Sequence, residues 1–293
     1  MKRALLILAA TALALCVTFG VYAYLDARRA AARKADRIAR LESFGIVSDG
    51  TEEFFPLPPV IPVDQASAEL GGNLFRDRRL TAPKGRTCLS CHPLNTGGID
   101  GKRHGGLLTR PVPNAAFTDI FLHDGSVTGL TALVERMVCD PRFGGATNIG
   151  YSAAWIGSDI KFAYKFKKRY PDGVTVTNML DALTAYIKTR VTSNGPFDRY
   201  CAGHKDALSK EQVRGLEVFR AQKCTDCHDG PVLGAWKIAD ERKVPALRGL
   251  STRKVYSAAG PRSDLSSVLP FMPGGDIESS ADRVALLAFL GCL

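Results

Sequence analysis

Two short segments have the residue types and spacing needed to attach an iron porphyrin covalently: Cys88-Leu89-Ser90-Cys91-His92 and Cys224-Thr225-Asp226-Cys227-His228. Thiols three positions apart on one helical turn reach the two vinyl groups of a haem and form thioethers. The adjacent histidine then sets its imidazole beneath the iron. Two complete motifs among eight cysteines and five histidines are far from a chance expectation. The rival readings are zinc held by the two Cys-x-x-Cys pairs and a thioredoxin-like redox dithiol. A histidine directly after each pair weighs against the first, and the lack of a βαβ pattern weighs against the second. The expectation is therefore two haem c groups, attached through Cys88, Cys91, Cys224 and Cys227, with His92 and His228 as proximal iron ligands.

A haem iron has a sixth position that is either filled or open, which makes the remaining histidines and the methionines candidates. His104 stands in Lys102-Arg103-His104-Gly105-Gly106, a glycine-rich loop twelve residues after His92 that can bend over a haem. Met272 stands in Leu269-Pro270-Phe271-Met272-Pro273-Gly274-Gly275, which has the prolines and glycines of a ligand loop and no helical stripe. Thioether ligation raises a haem's reduction potential relative to histidine. His123, in Phe121-Leu122-His123-Asp124-Gly125-Ser126, reads as a turn residue, a ligand or a redox relay, and His204 reads as solvent-exposed.

The elements that must position these groups are mostly helical. Gly71-Gly72-Asn73-Leu74-Phe75-Arg76 is echoed by Gly215-Leu216-Glu217-Val218-Phe219-Arg220, each copy ending a short amphipathic helix that leads into a Cys-x-x-Cys-His segment. Ser209-Lys210-Glu211-Gln212 fits a capping box at the start of the second of these helices. Residues 178–191 and 280–290 carry apolar side chains at helical spacing, and Asn194-Gly195-Pro196 marks a break. Residues 44–66 contain FFPLPPVIP and predict an extended linker or wrap. The resulting organisation is all-α: an N-terminal segment over 1–43, a Pro-rich linker over 44–66, and two tandem cytochrome c-like domains over 67–205 and 206–293.

Of the net charge of +10, residues 1–40 supply +6 from eight basic and two acidic side chains. What remains is nearly neutral once haem propionates are added, which excludes a nucleic-acid-binding reading. Lys2 and Arg3 precede an uncharged apolar stretch, residues 4–25, long enough to span a bilayer as a helix. An uncleaved membrane anchor is the favoured reading and a cleaved signal peptide the alternative. Either places the haem domains in the periplasm, where Cys139, Cys201 and Cys292 have access to disulfide chemistry with no pairing singled out.

Residues 65–293 resemble the bacterial di-haem cytochrome c peroxidase family, which includes the MauG branch. The likeness runs through residues 70–80, both haem motifs, Gly97-Gly98-Ile99-Asp100, Pro113-Asn114-Ala115-Ala116-Phe117, Asp124-Gly125, Pro196-Phe197-Asp198-Arg199-Tyr200, Ala207-Leu208-Ser209 and Lys243-Val244-Pro245-Ala246-Leu247-Arg248. The resemblance implies that the first haem is a low-potential site where peroxide reacts and the second a high-potential electron entry site. It also implies that His104 is the displaceable distal ligand of the first haem and Met272 the axial ligand of the second. Met272 stands apart from the MauG branch, where that ligand is a tyrosine.

Three departures bear on function. The family's proton-moving Gln and Glu above the first haem correspond to Leu133 and Phe143, with Glu135 as a substitute only if the loop is remodelled. The family's bridging Trp corresponds to His123. Its inter-domain calcium site corresponds to Leu108 and Arg253-Lys254-Val255, which makes calcium doubtful and leaves Arg253 as a fixed positive charge. The first expectation is therefore a di-haem electron-transfer protein served by a small cytochrome c or cupredoxin. A working peroxidase that reduces hydrogen peroxide is the second, with His104 and His123 as its candidate catalytic groups, and a redox or ligand sensor is the third.

Overall fold

The computed structural model describes residues 27–28, 31–32, 34–49, 51–81, 85–234, 238–239, 242–257 and 261–293. It divides into two units, Met1–Glu52 and Glu53–Leu293. In the first unit residues 34–43 are helical. No helix among the described residues is long and apolar enough to cross a membrane, and the apolar stretch at 4–25, on which the anchor expectation rests, lies outside them.

The second unit carries helices α1 (Gln65–Phe75), α2 (Leu130–Cys139), α3 (Ile149–Gly157), α4 (Ile160–Arg169), α5 (Val176–Lys188), α6 (Pro196–Cys201), α7 (Lys210–Ala221) and α8 (Ser280–Leu290). Between them stand two-residue antiparallel ladders: β1 (Arg103–His104) with β2 (Leu107–Leu108), and β3 (Ile120–Phe121) with β4 (Val127–Thr128). A second pair of ladders joins β5 (Ile238–Ala239) to β6 (Arg242–Lys243), and β7 (Tyr256–Ser257) to β8 (Pro261–Arg262). These ladders, absent from the all-α expectation, are turns closed by a few backbone bonds. They are too short to form a sheet with its own core.

The helix starts follow from local side-chain chemistry. The Ser209 hydroxyl accepts from the Gln212 N–H while the Gln212 side chain accepts from the Ser209 N–H, completing the capping box. Ser279 caps α8 through the Asp282 N–H. Thr175 caps α5 through the Asn178 N–H, so that helix opens at Val176, two residues before the sequence pattern predicts.

The helices pack around two separate hydrophobic cores. The first includes Leu70, Leu74, Phe75, Val134, Phe166 and Leu183; the second includes Phe197, Leu216, Phe219, Leu269, Leu286 and Phe289. Phe197, which follows the Asn194–Gly195 break, sits in the second core, with Tyr200 and Cys201 packed against it.

In both cores the duplicated glycine marks a close helix crossing. A Cβ on Gly71 of α1 would stand 1.9 Å from the Ala182 carbonyl oxygen of α5, and one on Gly215 of α7 would stand 2.0 Å from that of Ala285 in α8. One turn further along, Phe75 meets Tyr186 with centroids 5.2 Å apart, and Phe219 meets Phe289 at 5.5 Å. The duplication therefore extends into the partner helices, where Ala182-Leu183-Thr184-Ala185-Tyr186-Ile187 matches Ala285-Leu286-Leu287-Ala288-Phe289-Leu290. Gly215→Ala gains up to about 1 kcal/mol of helix propensity but forces a backbone shift. The expected net loss is about 1–3 kcal/mol, read as a lower melting temperature of the holoprotein, and an unchanged melting curve would refute the close crossing.

The Pro-rich stretch forms a wrap over the second core. Phe55 and Leu57 are buried, and Phe54 meets Phe197 edge-on at 5.4 Å. Prolines deny this stretch helical bonding, so its backbone takes partners from a buried ion pair. The Leu57 N–H donates to Asp198 Oδ1 at 2.8 Å, and Arg248 Nη2 donates to the Phe55 carbonyl at 2.5 Å.

Candidate functional site

The first Cys-x-x-Cys-His segment opens with a single tight turn over Cys88–Ser90. The His92 N–H donates to the Cys88 carbonyl at 2.8 Å, which fixes the imidazole relative to both thiols. The His92 Nδ1 pairs with the Gly98 carbonyl at 3.0 Å. A carbonyl partner makes Nδ1 the protonated nitrogen and leaves the Nε2 lone pair for a metal. Burial lowers the His92 pKa below the usual histidine range, which keeps the ring in the neutral form that ligates iron. The second segment repeats this geometry. The His228 N–H donates to the Cys224 carbonyl at 2.8 Å, its Nδ1 pairs with the Leu233 carbonyl at 3.2 Å, and burial again depresses its pKa.

Cys88, Cys91 and His92 line a partly open cleft. Its walls are predominantly apolar, among them Phe75, Leu107, Leu130, Val134 and Leu183, as the walls of cofactor sites commonly are. Burial pushes the Cys88 thiol up to about 12, an environment suited to neutral sulfur such as a thioether. A thiolate for zinc would be disfavoured there. Among the described residues the two Cys-x-x-Cys pairs do not come together in one ligand cluster, so a four-sulfur zinc site is not formed. The paired thiols, the oriented imidazole and the apolar cleft fit a haem.

His104 lies on β1 of a hairpin whose turn, Gly105-Gly106, has both residues at positive φ (56° and 82°), the type I′ geometry that favours glycine. The hairpin brings His104 to the wall of the same cleft. Its Nε2, however, is hydrogen-bonded to Asp100 Oδ2 at 2.8 Å, and Asp100 also accepts from Thr109 Oγ1 at 2.7 Å and the Lys102 N–H at 2.9 Å. Cys91, Asp100 and His104 offer ligand atoms within 4.8 Å of one another. Iron ligation through this His104 nitrogen therefore requires the bond to Asp100 to break.

His123 also lines the cleft. Burial, reinforced by the Arg110 and Arg103 charges, lowers its pKa to about 4, so it is neutral at neutral pH. Its carbonyl accepts the Lys243 N–H at 2.6 Å, a direct backbone link from the first site to the strand that follows the second motif. Leu133 and Phe143 line the cleft as well, whereas Glu135 is exposed on α2 and is not part of its wall.

Met272 follows the turn Leu269–Phe271 and is half-buried. A Cβ on Gly274 would stand 2.6 Å from the Gln222 carbonyl, so this loop lies tightly against the chain two residues before Cys224. Cys139, Cys201 and Cys292 are free thiols. Cys201 and Cys292 belong to the second core, and His204 is exposed. Leu108 is buried, and the Arg253 guanidinium donates to the carbonyls of Ala246 (2.9 Å) and Arg248 (2.6 Å). Calcium takes six to eight oxygen ligands, and a leucine and a guanidinium that consumes carbonyls do not fit such a site.

Two groups escaped the sequence reading as site residues. Arg110 and Lys243 both face the cleft, the latter from the second half of the chain. Lys243 stood within a recognised motif, but nothing in its sequence neighbourhood marks it as a wall of the first site.

A family profile described as di-haem cytochrome c peroxidase matches residues 65–206. The cytochrome c peroxidase Ccp of Escherichia coli (strain K12) is 30% identical over 187 residues, covering 61% of this chain and 40% of that protein. The cytochrome c551 peroxidase of Nitrosomonas europaea is 29% identical over 205 residues, covering 67% of this chain and 61% of its own length. The chain thus spans less than two thirds of either relative. The crystal structure of a MauG-like protein associated with microbial copper homeostasis shares the fold, with a TM-score of 0.67 at 16% identity over 79% of this chain and 90% of that one.

Proposed function

Because this chain belongs to the di-haem cytochrome c peroxidase family, we propose that it is a periplasmic c-type cytochrome that binds two haems covalently and transfers electrons between them. Cys88 and Cys91 hold one group with His92 as proximal ligand; Cys224 and Cys227 hold the other with His228, and Met272 serves as its axial thioether. Each haem supplies reversible one-electron chemistry at iron. The protein's part is to orient, insulate and connect. The carbonyls of Gly98 and Leu233 fix the two imidazoles, and the Lys243–His123 backbone bond joins the two halves beside the first site. Residues 4–25 tether the molecule to the inner membrane, and a small cytochrome c or cupredoxin is its redox partner.

The observation that carries this reading over peroxide reduction is that Leu133 and Phe143 face the first cleft. Splitting the peroxide O–O bond heterolytically requires a group that moves a proton from one oxygen to the other, and neither side chain can do so. The second reading, a peroxidase, draws on the cleft itself and on His104, which becomes available if Asp100 releases it.

Half-reduced protein mixed with hydrogen peroxide and a reduced small cytochrome separates the two. Slow donor oxidation, no faster than that of His92→Ala, is the expected result. Rapid turnover that His92→Ala abolishes would establish the peroxidase and reject the carrier.

A further inference from the structure

We propose that Arg110 and Lys243 bind the propionate carboxylates of the haem attached at Cys88 and Cys91. This rests on the reading that the first cleft holds a haem. Arg110 follows β2 and Lys243 ends β6, and both line the cleft. Among the described residues neither they nor Arg253 pair with a carboxylate. The Lys243 ammonium stands over the Phe121 ring at 5.1 Å, and Arg253 meets only the neutral carbonyls of Ala246 and Arg248.

Cations withdrawn from water without an anion are strongly disfavoured, and the Arg110 charge adds to the cost at Lys243 and at Arg253. Burial, and secondarily the Arg110 charge, lowers Lys243 to about 8 and Arg253 to about 10; burial lowers Arg110 as well. Arg110 and Lys243, both at the cleft wall, call for negative charge beside them. Among the described residues no carboxylate side chain lines the cleft, and an occupant that carries negative charge would meet this need. A haem carries two carboxylates on the porphyrin edge remote from its vinyl groups. Thioether bonds to Cys88 and Cys91 fix the vinyl edge, which leaves the propionates free to meet the cations. Lys243 then acts as a positioning residue from the second half of the chain. It ties the orientation of the first haem to the domain that carries the other.

Arg110→Gln and Lys243→Gln in the full-length exported protein test this. The readouts are haems per chain by pyridine haemochrome and the potential of each haem by redox titration. Both variants are expected to keep two haems, since attachment uses the cysteines. Removing a cation should favour ferric over ferrous iron about tenfold at the first haem, a drop of about 59 mV for one electron, with a smaller change at the second. Arg110→Lys should preserve the wild-type potential, because charge matters here and shape does not. Should Arg110→Gln fail to accumulate, the test passes to Lys243→Gln and Arg110→Lys with the same criteria. Two haems with unchanged potentials in the glutamine variants would overturn the proposal. So would a wild-type potential that shifts with added phosphate, since the cations would then hold an exchangeable anion. Wild-type protein without two haems would instead overturn the underlying reading.

Discussion

Glutamate in place of Phe143, combined with Leu133→Gln, is expected to raise peroxide turnover at the first site by about 10²-fold or more, the range that a positioned general acid–base supplies. Both wild-type side chains face the cleft that holds Cys88, Cys91 and His92, so the new polar groups enter where peroxide would bind. Phe143 closes a short turn over Pro141–Phe143, capped by the Asp140 carboxylate through the Arg142 N–H at 2.9 Å. The following Gly144, at φ 88°, ends that turn, so the backbone position is fixed and only the side chain changes. The check is the initial rate of reduced-donor oxidation at saturating peroxide, normalised to haem content. A double variant that retains both haems and turns over no faster than wild type would show that the missing proton carrier is not what limits peroxide chemistry here.

Arg248→Met is expected to destabilise the second core by about 3–5 kcal/mol, the cost of leaving one partner of a buried ion pair without the other. Arg248 and Asp198 have side chains only 3% and 6% exposed, with Nη1 and Oδ1 2.8 Å apart. The guanidinium also stacks over Phe197 at 4.5 Å and donates to the Phe55 carbonyl. Asp198 meanwhile accepts the Leu57 and Gly195 N–H groups. One pair thus secures the wrap, the start of α6 and the segment leading from β6 to the second core. Thermal unfolding of the holoprotein measures the effect, at roughly 2–4 °C per kcal/mol for a unit of this size. Adding Asp198→Asn should recover part of the loss, since asparagine keeps one backbone acceptor bond and removes the stranded charge. No recovery in the double variant would mean that Arg248 acts through packing alone.

The motif Pro196-Phe197-Asp198 and the distant Arg248 were both recognisable in the sequence, yet only the fold shows that they form one buried unit. The repeat was half visible in the same way. Gly71 and Gly215 stood out because each opens the same repeat, with Phe and Arg following in register. Their partners Ala182 and Ala285 did not, because alanine in a helix is ordinary. The Pro-rich segment was readable as non-helical, but its burial depended on residues 141 positions away, as in the Leu57 to Asp198 bond. The hydrogen bond that holds His104 was hidden in the sequence for a comparable reason. The glycines that make its hairpin are local, whereas the hold exerted by Asp100 depends on how the hairpin folds back, with Thr109 bonding the same carboxylate.

The sequence by itself determined two Cys-x-x-Cys-His units, each needing five consecutive residues and one tight turn to place two sulfurs and an imidazole. It also determined the duplicated scaffold, since caps and apolar spacing are written within single helices. Tertiary structure alone decided which cations face the first site. Arg110 and Lys243 come from segments 133 residues apart and neither carries a local signature, whereas Leu133 and Phe143 were reachable through the family resemblance. Covalent attachment and helix formation depend on neighbours along the chain, whereas the polarity and charge of a cleft depend on which distant segments the packed cores bring to its walls.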